Sequence, residues 1–221
     1  MSQAPATSRS QSPAPSTKAS TRRVLVRGGL GLAAAALLGC GEATEDLPTY
    51  GAAPSFTLTD QHGQLFSNQD IGGRTALVSF VFTTCTEWCP VLSPKMRETQ
   101  EQLRARGLLG SSVLLLSFTV DPQRDTPDKL AAYAQRYAAD PSHWRFLTGP
   151  PNEIQRVVVV GFRVGFLRPM PSGAGSAAVP LAITHSNRLV VVDGEGRIRS
   201  YLRGGEVTPE QIVGAIEQVV A

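Results

Sequence analysis

From residue 54 onward, short apolar runs alternate with amphipathic stretches. Ser55-Phe56-Thr57-Leu58-Thr59 alternates, Asp60-Gln61-His62-Gly63 has turn chemistry, and Gln64-Leu65-Phe66 returns, which predicts a hairpin. Residues 74–82 and 112–120 are continuously apolar and bounded by polar residues, the pattern of strands covered on both faces. Between them, Pro90 and Pro94 open a helix that Gly107 stops. Thr126 precedes Pro127 as the N-cap of a second helix through Ala139, with Leu130, Tyr133 and Tyr137 on its core face. Residues 144–148 read as a strand. Residues 152–160 read as a helix, although four consecutive valines also allow a strand. Residues 161–165 fit neither pattern, and 168–180 form a loop rich in Pro, Gly, Ala and Ser. Strands follow at 181–185, 188–193 and 197–202, and Thr208-Pro209-Glu210 opens a last amphipathic helix. Strands alternating with helices, then a hairpin and a helix, give an α/β fold with a central sheet between helices.

The first 39 residues change the picture of charge. The chain carries a formal +3, yet Arg9, Lys18, Arg22, Arg23 and Arg27 all fall before Cys40 and no acid does. Without that segment 16 Lys and Arg face 18 Asp and Glu, so nothing points to a nucleic-acid partner. Thr21-Arg22-Arg23-Val24-Leu25 resembles a twin-arginine export signal, with Leu25 at the usual Phe position. Residues 28–39 are small or apolar, short for a membrane span and suited to a signal core. Leu37-Leu38-Gly39-Cys40 matches a lipobox, which implies a lipid on Cys40 and cleavage before it. The alternative is an uncleaved apolar anchor. Either way the expected organisation is an export signal over 1–39, a lipidated Cys40 with a polar linker to 53, and a domain over 54–221. That domain is expected outside the cytoplasm, tethered to the membrane, where disulfides form.

The candidate chemistry lies at the end of the first apolar run. Phe80-Val81-Phe82-Thr83-Thr84-Cys85-Thr86-Glu87-Trp88-Cys89-Pro90 puts two cysteines at a strand-to-helix turn. If the turn is helical, the i, i+4 spacing puts both sulfurs on one side. A helix N-terminus lowers a thiol's pKa. Two soft anionic donors suit Cu(I), zinc or disulfide chemistry, against the plainer readings of a structural disulfide or two buried thiols. His185 by itself reads as an ordinary polar residue after a strand. Asp121 sits at the C-terminal end of a central strand, where α/β sheets place function, or merely caps the turn through Pro122. Trp88 reads as a packing or partner-contact residue, and His62 and His143 as structural. The peroxidase pattern P-x3-T-x2-C is absent, because Val78 and Phe82 hold its Pro and Thr positions.

Cys85-Thr86-Glu87-Trp88-Cys89-Pro90 resembles the C-x3-C-P loop of the SCO/SenC family of copper-binding, thioredoxin-like proteins. Val120-Asp121-Pro122-Gln123-Arg124-Asp125-Thr126-Pro127 resembles that family's V-D-P-x-R-D-T-P segment, and Thr184-His185-Ser186 its D-H-S, with Thr184 in place of Asp. The resemblance covers roughly residues 50–220. It implies a thioredoxin-like fold with an N-terminal hairpin, and copper bound by Cys85, Cys89 and His185 with Asp121 near the metal. It also implies a metallochaperone that assists assembly of the CuA site in cytochrome c oxidase subunit II. A thiol-disulfide oxidoreductase working through Cys85 and Cys89 is the second reading, although such enzymes usually have C-x2-C.

Overall fold

The computed structural model describes residues 47–167, 184–185 and 187–220. Cys40 and the export signal, the loop over 168–180 and the start of the strand over 181–185 lie outside the described residues. Strands β1 (Thr57–Asp60) and β2 (Leu65–Ser67) form the expected hairpin, turned at Gly63 with φ 73°. A short helix α1 (Asn68–Ile71) follows, capped by Ser67 and Asp70. The alternation then runs β3 (Thr75–Val81), α2 (Cys89–Ala105), β4 (Val113–Thr119), α3 (Pro127–Arg136), β5 (Trp144–Thr148) and α4 (Pro151–Gln155). After a π turn, Arg156–Gly161, come β6 (Phe166–Leu167), β7 (Thr184–His185), β8 (Arg188–Val192), β9 (Ile198–Arg203) and α5 (Pro209–Val220).

The main sheet has the order β2-β1-β5-β4-β3-β8-β9, with β3, β4 and β5 parallel and every other pairing antiparallel. Every residue of β3 and β4 is buried, as their unbroken apolar runs require. Leu77 and Val81 face a layer made by α2, α3 and α5, with Met96, Leu103, Leu130, Ile212 and Ile216. Ala76, Val78 and Phe80 face the other way, onto Phe56, Ile154, Val157, Val158 and Phe162. Each such Leu or Phe withdrawn from water contributes about 2 kcal/mol. This two-faced burial fixes the register, so the C-terminal ends of β3 and β4 stand side by side, with Val81 opposite Thr119.

Several expectations are refined. The valines over 157–160 neither extend into a strand nor hold a regular helix. The hydrogen-bond ladder widens into the π turn, which buries Val157 and Val158 and leaves Val160 71% exposed. Helix α3 stops at Arg136, before Ala139, where Ala138 takes a left-handed φ of 50°. Thr126 is its N-cap by position but makes no side-chain cap hydrogen bond. Thr208 does cap: its hydroxyl accepts from the Gln211 N–H at 3.3 Å while Gln211 Oε1 accepts from the Thr208 N–H at 2.9 Å.

The end of the linker is not loose. The Tyr50 N–H donates to Ile198 O, Ala52 bridges Arg197, and Arg199 donates to the carbonyls of Leu47 and Pro48. The ordered domain therefore begins before residue 54. Among the described residues no helix is long and apolar enough to cross a membrane.

Candidate metal centre

The loop that carries the cysteines leaves β3 where that strand lies against β4, and one carboxylate ties the two together. Asp125 is 1% exposed. It accepts the Thr83 N–H on both oxygens at 3.2 Å, the Thr83 hydroxyl at 2.6 Å and the Thr119 hydroxyl at 2.5 Å. Thr119 Oγ1 in turn accepts the Asp121 N–H at 3.0 Å. Burial pushes the Asp125 carboxyl up, against the hydrogen bonds from Thr119 and Thr83, and the charge of Asp121 adds to the rise. Asp121 is also 1% exposed, forms an ion pair with Arg124, and accepts the backbone N–H groups of Arg124 and Asp125 on its carbonyl. Through Thr83, Asp125 holds the cysteine loop, and sequence reasoning passed over it. Its signal was available: a second acid four residues after the first, just before the Thr-Pro that opens α3.

Residues 85–88 are not helical, so the i, i+4 argument does not bring the sulfurs together. A capping interaction does. Cys89 is the first residue of α2, and its N–H is one of the donors a helix start leaves without an intrahelical partner. It donates to Cys85 Sγ at 3.3 Å, and the N-cap residue Trp88 makes no side-chain cap hydrogen bond. Both cysteines are thiols, Cys85 half-buried and Cys89 1% exposed. The expected lowering of the thiol pKa is reversed at Cys89. Burial pushes it up to about 12, more than the Phe82 N–H and the Tyr133 hydroxyl pull it back, and the adjacent Cys85 adds to the rise. The Tyr133 hydroxyl is itself raised, first by burial.

The surroundings of the loop are built by α2 and the β9–α5 connection. Lys95 donates to the carbonyls of Gly204, Gly205 and Val207 at 2.8, 3.3 and 2.8 Å, which holds that connection against α2. A side chain on Gly205 would collide with the Trp88 ring and the Asn187 amide. Asn187, two residues after His185, therefore lies beside the residue that precedes Cys89. Trp88 and Val91 form an apolar rim, 37% and 42% exposed. His185 pairs with Phe166 across β6 and β7, and its backbone alone is described. Among the described side chains no three His, Cys, Asp or Glu form a metal cage. His62 is an exposed turn residue and His143 faces Asp140 at 3.2 Å, both away from the cysteines' contacts.

The donor set fits a soft ion. Two sulfurs stand on one loop, one reachable from solvent. The buried one already has two hydrogen-bond donors, the Phe82 N–H and Tyr133, that favour its anionic form once a cation balances the cost of burial. Comparison with known proteins agrees with this chemistry. The chain is 29% identical over 170 residues to the SCO1 protein homolog of Bacillus subtilis, covering 76% of this chain and 82% of that one. The solved structure of Bradyrhizobium japonicum ScoI with copper bound matches with a TM-score of 0.61 and 28% identity, over 76% of this chain and 99% of that one. BsSco is described with a disulfide switch and as a member of the Sco family of cytochrome c oxidase assembly proteins. It matches with a TM-score of 0.62 and 25% identity, over 79% of this chain and 96% of that one. The SCO1/SenC family model matches residues 45–221, and this chain belongs to the SCO1/SenC family.

Proposed function

We propose that this chain is a copper-binding metallochaperone, exported and held at the outer face of the cell membrane by a lipid on Cys40, which serves assembly of cytochrome c oxidase. The observation that carries it is the pairing of a half-buried Cys85 with a buried Cys89 on one loop at the C-terminal edge of β3. Copper is the cargo. Cys85 and Cys89 hold it as thiolates, with the imidazole of His185 as third donor, and their two protons leave as it binds. The apolar rim of Trp88 and Val91 offers a contact surface to the acceptor, the CuA domain of subunit II. The copper-bound ScoI and the cytochrome c oxidase assembly role given for BsSco's family support this reading.

The test is a copper titration of the reduced full chain and of Cys85→Ser. The proposal requires one tightly held copper per chain that the substitution removes. Export and anchoring are tested by labelling with radioactive palmitate, which must appear on the chain and be lost in Cys40→Ala.

The contact between the Cys89 N–H and Cys85 Sγ favours one further reading. Two cysteines tied together on one loop suit a reversible disulfide, and the chain would then reduce cysteines of a partner. Disulfide exchange with a dithiol, with no tight copper, is the outcome that reading predicts.

A further inference from the structure

The sheet face that carries Ala76, Val78 and Phe80 is not filled at its Ala76 end. A cavity of about 400 Å³ lies there, at the start of β3, whereas the cysteine loop leaves that strand's other end. Phe56, Ala76, Val78, Leu116, Phe162 and Val192 line it, none more than 5% exposed. Side-chain size explains the space. Along β3 the row on this face grows from Ala76 through Val78 to Phe80. The remaining lining includes only small groups from the linker edge and the β8–β9 turn: Ala52, Ala53, Gly194 and Gly196. Those segments are pinned together, because the Ala53 N–H donates to Gly196 O at 2.7 Å and Ala52 bridges Arg197. The cavity is therefore preformed, with the size and apolar walls of a small-molecule site.

The polar part of the lining says what the ligand carries. Asn68 is used up, donating to Pro54 O at 3.1 Å and accepting the Phe56 N–H at 2.6 Å. Asp193 accepts from the Glu195 and Arg197 N–H groups and pairs with Arg197 and Arg199, and Glu195 pairs with Arg197. Arg74 is different. Its Nε donates to Ile71 O at 2.6 Å, Nη1 to Gly110 O at 3.1 Å and Nη2 to Asp70 O at 2.8 Å. Three carbonyls fix the guanidinium, yet it forms no ion pair among the described residues. A guanidinium has five N–H groups, so one on each Nη is left over. Two such N–H groups on a planar cation match a carboxylate. We propose that this cavity binds a medium-chain fatty acid, its carboxylate on Arg74 and its tail against Val78, Leu116 and Phe162. One non-hydrogen atom needs about the volume of a water, about 30 Å³, so the space holds about a dozen, the size of decanoate. The proposal does not rest on the copper reading.

The experiment is equilibrium dialysis of the full chain against radiolabelled decanoate, below the concentration at which it forms micelles. One decanoate per chain is expected. Ala76→Leu fills the cavity and is expected to abolish binding without lowering the thermal midpoint. Arg74→Gln is expected to weaken decanoate about 10–100-fold, the worth of hydrogen bonds to a charged group, and to leave decanol binding unchanged. Two comparisons need only the wild type and carry the test if either variant does not fold. Decanoate is expected to bind at least tenfold more tightly than decanol. From hexanoate to decanoate the affinity is expected to rise about fourfold per methylene, and then to stop rising as the cavity is full. No binding by the wild type, equal binding by Ala76→Leu, or decanol as tight as decanoate overturns the proposal. Affinity that keeps rising through tetradecanoate also overturns it, because an open apolar surface, including the apolar segment 28–39, would behave that way.

Discussion

The Asp125 carboxylate holds Thr83 by both its N–H and its hydroxyl, at 3.2 and 2.6 Å, and so fixes the loop two residues before Cys85. The same carboxylate accepts from Thr119 at the end of β4. Asp125→Ala therefore leaves two hydroxyls and one N–H without this acceptor. The expected loss is about 2–4 kcal/mol in urea unfolding. Copper affinity is expected to fall about 10–100-fold in a competition assay, the usual cost of removing a group that supports metal ligands. Wild-type stability in the variant would show that the clamp contributes nothing.

Lys95 satisfies three carbonyls beneath Trp88. Lys95→Met is expected to cost about 2–3 kcal/mol and to change the fluorescence of the exposed Trp88, because Gly205 no longer stays against its ring. Gly205→Ala is expected to shift the same emission without removing any carbonyl partner. An emission spectrum identical to wild type in both variants would separate Trp88 from this connection.

The Asp140 carboxyl feels burial first, which raises it. Its bonds with Arg104, the Ser142 N–H and His143 outweigh that and hold it at about 2. Its folded value lies below its unfolded value of 3.8, so it stabilises the fold above about pH 4 and loses that contribution as pH falls toward 2. Allowing for solvent screening, the contribution is about 1 kcal/mol. Urea midpoints of wild type and Asp140→Asn are expected to differ at pH 7 and to converge near pH 2. A difference that is the same at both pH values would contradict the assignment.

If His185 is the third ligand, His185→Ala weakens Cu(II) more than Cu(I), because two thiolates alone still hold Cu(I). The comparison is made by competition with chelators of each oxidation state. An unchanged Cu(II) absorption spectrum removes His185 from the ligand set.

Much of this was legible in the residues. The runs that became β3 and β4 are apolar throughout, and such runs have few structural solutions. Pro90, Gly107 and Thr208 punctuate the helices where they stand. The valines over 157–160 were ambiguous because helix and strand propensities conflict there, and burial of Val157 and Val158 settled the conflict with a π turn. The linker edge was hidden because Tyr50, Ala52 and Arg199 pair only across about 150 residues of sequence. The two cysteines were visible as a pair, but the burial of Cys89 was not. A helix N-terminus argues for a low thiol pKa, and burial of Cys89 reverses it. Asp125 was overlooked for a similar reason: its partners Thr83 and Thr119 come from two different strand ends.

The most direct measurement is the copper content of the reduced full chain after anaerobic titration with Cu(I), followed by oxidation and an absorption spectrum. One copper per chain with thiolate-to-Cu(II) charge transfer, both lost in Cys85→Ser, is the predicted result. Full copper binding by Cys85→Ser, or no tightly held copper in the wild type, would contradict the account.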